Sequence, residues 1–149
     1  MLQFRPVTEE RRSLMPLLLL GDEQENMVER YLDQGEVFAV YEKEKPLGVC
    51  VVTDESGGVC ELKNIAVDPT YQRKGLGHAM LEELFRRYRG RFRTMLVGTG
   101  DSPLTVPFYE SCGFRYSHRV PDFFTEHYDH PIYEAGHRLR DMLYFQREL

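Results

Sequence analysis

The chain has no tryptophan and only three cysteines among its 149 residues. Those three (Cys50, Cys60 and Cys112) are an odd number without a C-x-x-C pair, which argues against a disulfide framework and against a thiol redox motif. Long apolar runs are also missing. The stretch Leu17–Leu20, preceded by Arg11 and Arg12, is far too short to span a bilayer, and no secretory h-region with a small-residue cleavage site is present. Neither G-x-x-x-x-G-K-[ST] nor G-x-G-x-x-G occurs, because Met80 stands where the latter needs its third glycine. Four histidines (His118, His127, His130 and His137) cluster near the end without an i, i+4 pair or a cysteine partner, so no metal site is expected. These absences point to a soluble, cytoplasmic protein.

Apolar residues make up 42 % and charged residues 29 %, with nine Tyr and nine Phe. That is enough for a core and too much for a disordered chain. At this length a single domain over residues 1–149 is expected. The formal net charge is −5, but it is unevenly placed. Residues 1–60 hold 6 basic and 12 acidic side chains, residues 61–119 hold 10 and 6, and residues 120–149 hold 3 and 6. A basic middle between acidic flanks fits an anionic ligand for the middle and a cationic one for the flanks. The arginines at 86, 87, 89, 91 and 93 follow a helical pattern, where cations offset the helix dipole, and the chain is acidic overall. Nucleic acid is therefore not expected as a partner.

Phe4 and Val7 suggest an opening strand, and Thr8 the N-cap of a helix interrupted at Pro16 and Gly21. A second helical piece is expected from about Asp22 to Gln34, closed by Gly35. Val37–Tyr41, Leu47–Thr53 and Val59–Val67 then read as a three-strand meander, with the turn at 54–57 placing Cys50 and Cys60 opposite each other. From Leu76 the period changes to i, i+4, with an apolar stripe ending at Gly90. Thr94–Gly98 is the next strand, a short helix runs from about Leu104 to Ser111, and Met142–Phe145 forms a final strand. Strands before and between helices mean mixed α/β around one sheet.

The segment from Glu61 to Ala79 carries the chemistry. A strand ends at Asp68-Pro69, and a basic loop, Gln72-Arg73-Lys74-Gly75-Leu76-Gly77-His78, leads into the amphipathic helix. Glycines let backbone amides approach a ligand, and the free N–H groups of a helix start attract anions. Gln72-x-x-Gly75-x-Gly77 resembles the [RQ]-x-x-G-x-[GA] signature of the GCN5-related N-acetyltransferases, the GNAT superfamily. Phe108-Tyr109-Glu110-Ser111-Cys112-Gly113-Phe114 is similar to a second element of that family, and Leu62–Val67 with Asp68-Pro69 to a third.

This resemblance implies a mostly antiparallel twisted sheet flanked by helices, with a splayed strand pair that binds CoA. It implies transfer of acetyl from acetyl-CoA directly to a primary amine, with no covalent enzyme intermediate. Ile65, Ala66 and Val67 match the strand that holds pantetheine and supplies an oxyanion-type donor. Gln72, Arg73, Lys74, Gly75, Leu76, Gly77 and His78 match the pyrophosphate loop, and Tyr109 the acid that protonates the departing thiolate. Glu61 is the implied base. Gly98-Thr99-Gly100-Asp101-Ser102 replaces an asparagine that many relatives carry, with Ser102 as the substitute pantetheine contact. The acidic flanks point to a cationic amine, small molecule or peptide, with Glu25, Glu29, Asp122, Glu126 and Glu134 lining its cleft. Cys112 shows no sequence sign of a paired histidine. The rival reading is a non-catalytic CoA-binding or sensing module; a homodimer is left open.

Overall fold

Alternating apolar residues and turn signals organise the first half of the chain into strands laid side by side. The computed structural model describes residues 1–149. Seven strands form one sheet: β1 (Leu2–Pro6), β2 (Glu36–Glu42), β3 (Lys45–Asp54), β4 (Val59–Val67), β5 (Thr94–Thr99), β6 (Arg115–Val120) and β9 (Met142–Glu148). Their order is β1-β2-β3-β4-β5-β9-β6. Every pairing is antiparallel except β4 with β5. A parallel pair needs a crossover, and the chain makes it through α3 (Leu76–Tyr88). The remaining helices are α1 (Met15–Gly21), α2 (Glu25–Leu32), α4 (Val106–Ser111) and α5 (Phe123–His127). A small hairpin, β7 (Tyr133–Glu134) with β8 (His137–Arg138), stands apart from the sheet. This is the mixed α/β, mostly antiparallel architecture expected from the sequence. No helix is long and apolar enough to cross a membrane.

The sheet is buried on both faces. Phe38, Val40, Cys50, Val52, Cys60, Leu62, Met95 and Val97 pack against the α3 stripe of Met80, Leu81, Leu84, Phe85 and Tyr88. Val37, Ala39, Val49, Val51 and Ala66 face Leu14, Leu17 and Leu18 and, from α2, Val28, Tyr31 and Leu32. Leu84 is fully buried in the first of these layers. Leu84→Ala is expected to cost about 2–5 kcal/mol through lost transfer energy and a cavity, read as a lower denaturant midpoint with an unchanged m-value.

Several local expectations are corrected. Thr8 caps nothing: the first helical turn, a 3₁₀ segment, begins at Arg11 after Glu10, which is left-handed at φ 54. The second helix starts at Glu25, later than Asp22, and ends at Leu32. Cys50 and Cys60 do not face each other, since Cys50 lies opposite Ile65 and Cys60 opposite Asp54. The hairpin turns later than expected, with Asp54 paired to Cys60, so Cys50 meets the far end of β4. A bulge follows the turn. Val51 pairs with Asn64 and Val52 with Leu62, so Lys63 is an extra residue in β4. Strand side chains alternate between faces, and one extra residue reverses the alternation. Cys60 and Leu62 therefore face α3, whereas Asn64 and Ala66 face α1 and α2.

Candidate active site

The β4–β5 ladder runs from Val59↔Thr94 to Leu62↔Val97 and stops there. Beyond it the strands diverge, and backbone groups of residues 63–67 on the β5 side have no strand partner. Buried backbone groups need partners, so this wedge is a place for an extended, hydrogen-bonding ligand. A cavity of about 490 Å³ begins at Ile65, Ala66 and Val67 and ends at the loop before α3.

That loop is held open by its own chemistry. Asp68 accepts from the Thr70 amide at 2.9 Å, and the Gln72 side-chain amide donates to the Val67 carbonyl at 2.9 Å. Gln72 thus ties the loop to the end of β4. Arg73 (φ 62) and Gly75 (φ 82) are left-handed, a conformation that turns successive amides to one side. The first intrahelical bond of α3 runs from Ala79 N–H to the Gly75 carbonyl, and Gly75 offers no side-chain cap. The amides of Leu76, Gly77 and His78 therefore have no partner within the helix. Gln72, Arg73, Gly75, Leu76, Gly77 and His78 all line the cavity, with no acidic side chain among its walls. Lys74 does not; its ammonium lies 5.6 Å from the Tyr71 ring centroid. Basic loop, glycine approach and free helix amides together fit a pyrophosphate.

Tyr109, on α4, is buried and lines both this cavity and an inner one of about 220 Å³. Burial first, then the negative field of Glu134, pushes its hydroxyl well above the ordinary phenol range. Thr105 also borders both cavities and meets Thr99, hydroxyl to hydroxyl, at 2.6 Å. Ser102 borders neither; its hydroxyl accepts from the Leu104 amide at 3.1 Å and shapes the turn before α4. Cys112 has a histidine beside it after all: its Sγ lies 3.2 Å from His78 Nδ1. Burial raises that thiol, and Cys112 lines none of the three cavities.

The inner cavity runs on into a third, of about 400 Å³, through Asp22, Leu62, Lys63, Gly98, Tyr128 and Met142. Glu61 opens on this third cavity, which Tyr109 does not reach. Its carboxyl is held above the usual range by burial, against the pull of the Lys63 ammonium at 3.1 Å. The tail closes the inner cavity. The Tyr128 hydroxyl donates to Asp22 at 2.6 Å, and the Asp129 amide to the Gln24 side chain at 3.0 Å. Tyr31 also donates to Asp22, at 3.0 Å, and burial raises the Asp22 carboxyl despite these bonds.

Of the five carboxylates expected at the acceptor cleft, only Glu134 arrives. Glu25 and Glu29 are exposed on α2 and paired with Arg12 at 3.0 and 3.3 Å. Asp122 and Glu126 are exposed around α5. Asp22, Glu23, Glu55 and Glu61 take the missing places. Asn64 was also missed as a site residue; an amide directly before the apolar run Ile65–Val67 was the signal. Thr105 gave none.

A wedge between parallel strands, an anion-binding helix start and a buried phenol at their junction fit a ligand with an extended hydrogen-bonding arm and a pyrophosphate. The family model for an acetyltransferase (GNAT) domain matches residues 33–116. The N-acetyltransferase YvbK of Bacillus subtilis (strain 168), itself uncharacterised, is 34 % identical over 137 residues, 91 % of this chain and 88 % of that one. A GNAT family acetyltransferase from Elizabethkingia anophelis, solved with acetyl-CoA bound, superposes with a TM-score of 0.94 at 28 % identity, covering 99 % of this chain and 98 % of its own. A Bacillus subtilis acetyltransferase in complex with CoA gives 0.91 at 32 % identity, covering 100 % and 99 %. The chain belongs to the GNAT family. It is an acetyl-CoA-dependent N-acetyltransferase.

Proposed function

We propose that the protein transfers acetyl from acetyl-CoA directly to a primary amine that carries positive charge, a small molecule or a peptide amine. The observation that carries this reading is the place of Tyr109, between a cavity that ends in an anion cradle and one walled by carboxylates. The two acceptor-side cavities present Asp22, Glu23, Glu55, Glu61 and Glu134 against only Arg30 and Lys63. Such a surplus concentrates a cation. The free amides of residues 63–67 hold the pantetheine arm, and one of them polarises the thioester carbonyl. Tyr109 donates to the sulfur as the C–S bond breaks. Glu61, the base that the resemblance implies, opens on the third cavity beside Lys63.

Direct transfer is supported by Cys112, whose raised thiol lines no cavity and so meets no thioester. An amine panel tests the reading, with free CoA thiol measured as the product. Amine-dependent release is expected, and binding of acetyl-CoA without such release would support a sensing module instead. The best acceptor is expected to be cationic, with a KM that rises several-fold as salt shortens the screening distance to about 8 Å and below. A neutral or anionic best acceptor, insensitive to salt, removes the charge argument.

A further inference from the structure

Two acceptor atoms of the inner cavity have no partner. Asn64 is buried, and its side-chain N–H groups donate to the Leu18 carbonyl at 2.9 Å and to the Tyr31 hydroxyl at 3.1 Å. A carbonyl accepts and never donates, so this fixes the amide orientation. Asn64 Oδ1 is left buried and unbonded at the cavity wall, beside Gly21, where a Cβ would collide with it. Glu134, on β7, likewise has Oε2 buried and unbonded in the same cavity. Burying such atoms unpaired is unfavourable. Both lack a donor, and an ammonium brings three N–H bonds. The tail adds Phe124, Ile132 and Leu139 and β5 adds Val97, beside the polar Asp22, Glu23, Lys63, Thr99 and Thr105.

We infer that Asn64 and Glu134 seat the ammonium of the acceptor, and that Glu134 takes its proton. The inference rests on the acetyltransferase reading above and replaces Glu61 as the first proton acceptor. Glu134 shares its cavity with Tyr109, whereas Glu61 is paired to Lys63 in a cavity that Tyr109 does not reach. In the step, an ammonium N–H bond breaks and its proton passes to Glu134 Oε2. The freed lone pair forms the C–N bond at the thioester carbonyl carbon, and the carbonyl π pair moves to oxygen. When that pair returns, the C–S bond breaks and the thiolate takes the Tyr109 hydroxyl proton. The second excess proton on nitrogen restores Tyr109, and Glu134 releases its own to solvent. One proton leaves per turnover. The patch of Phe124, Ile132, Leu139 and Val97 gives the acceptor a compact body with one apolar side behind its ammonium.

The test uses the full chain, acetyl-CoA and 2-phenylethylamine, with thiol release followed from pH 6 to 10 for wild type, Glu134→Gln and Glu61→Gln. A primary ammonium titrates near 10.4, so an enzyme without its base can use only the small neutral fraction. Glu134→Gln is expected to lower kcat/KM about 10²-fold at pH 7, with the deficit closing as the pH approaches that of the amine. The acetyl-CoA Kd should not change, and Glu61→Gln should lose less than Glu134→Gln at pH 7. A deficit equal at every pH overturns the base assignment, because a residue that only shapes the pocket gives that pattern. So does a larger loss in Glu61→Gln. If wild type ignores 2-phenylethylamine yet releases thiol with another amine, the seat is overturned and the acetyltransferase stands. If no primary amine promotes release, the reading beneath both fails.

Discussion

Gly77→Glu is expected to raise the acetyl-CoA Kd about 100-fold or more while the protein stays folded. Gly77 has ordinary helical backbone rather than a positive φ, so the helix accepts a side chain there. Its Cβ would stand 3.2 Å from the Phe108 ring, which must give slightly. A carboxylate in this first turn competes with an anionic ligand for the free amides of residues 76–78 and repels it. Losing two charge-assisted hydrogen bonds at about 1.5 kcal/mol each gives the stated factor, since about 1.4 kcal/mol is tenfold. Titration calorimetry measures it, with Gly77→Ala as the control for the Phe108 contact. Undiminished affinity in the folded glutamate variant would show that the cradle lies elsewhere.

The second large effect is on turnover. Tyr109→Phe removes one hydroxyl and little volume, so acetyl-CoA affinity should hold while kcat falls about 10²-fold, the low end for general acid catalysis. Two facts set that figure. A thiolate titrating near 8.5 is already a fair leaving group. Burial and Glu134 also hold the Tyr109 hydroxyl above the ordinary phenol range, which makes it a reluctant acid by itself. Its contribution is a hydrogen bond to the developing thiolate, with full proton transfer coupled to loss of the nitrogen proton. Because it stays protonated through the alkaline range, Tyr109 itself should give kcat no alkaline limb below pH 10. A phenylalanine variant with wild-type kcat across pH removes Tyr109 from the mechanism.

The cofactor side of the site was legible in the sequence because it is nearly contiguous. Strand end, Asp68-Pro69, basic loop and helix start follow one another, and the proposed contacts are to backbone, so spacing and glycine placement carry the information. Lys74 is the exception: a flexible side chain can settle on a neighbouring ring, and here it settles on Tyr71. The acceptor side was misread for a different reason. Charge was assigned by stretch of sequence, whereas a cavity selects by face. Glu25 and Glu29 lie on the outer face of α2 and meet Arg12, while Asp22, a few residues earlier, turns inward to Tyr31 and Tyr128. The bulge at Lys63 was equally hidden. No residue type announces it, yet it decides that Asn64 faces α1.

The bond from Tyr128 to Asp22 joins residues 106 positions apart. Closing so long a loop has an entropic cost that neither residue recovers alone, and the tail packs through its own small apolar cluster of Phe124, Ile132 and Leu139. The roof of the acceptor cavity thus packs on a small cluster of its own, the kind of segment that opens at a lower free energy than a sheet core. Segment 122–141 can therefore exchange its side chains, and with them the choice of amine, while the loop from Asp68 to His78 goes on gripping the same thioester.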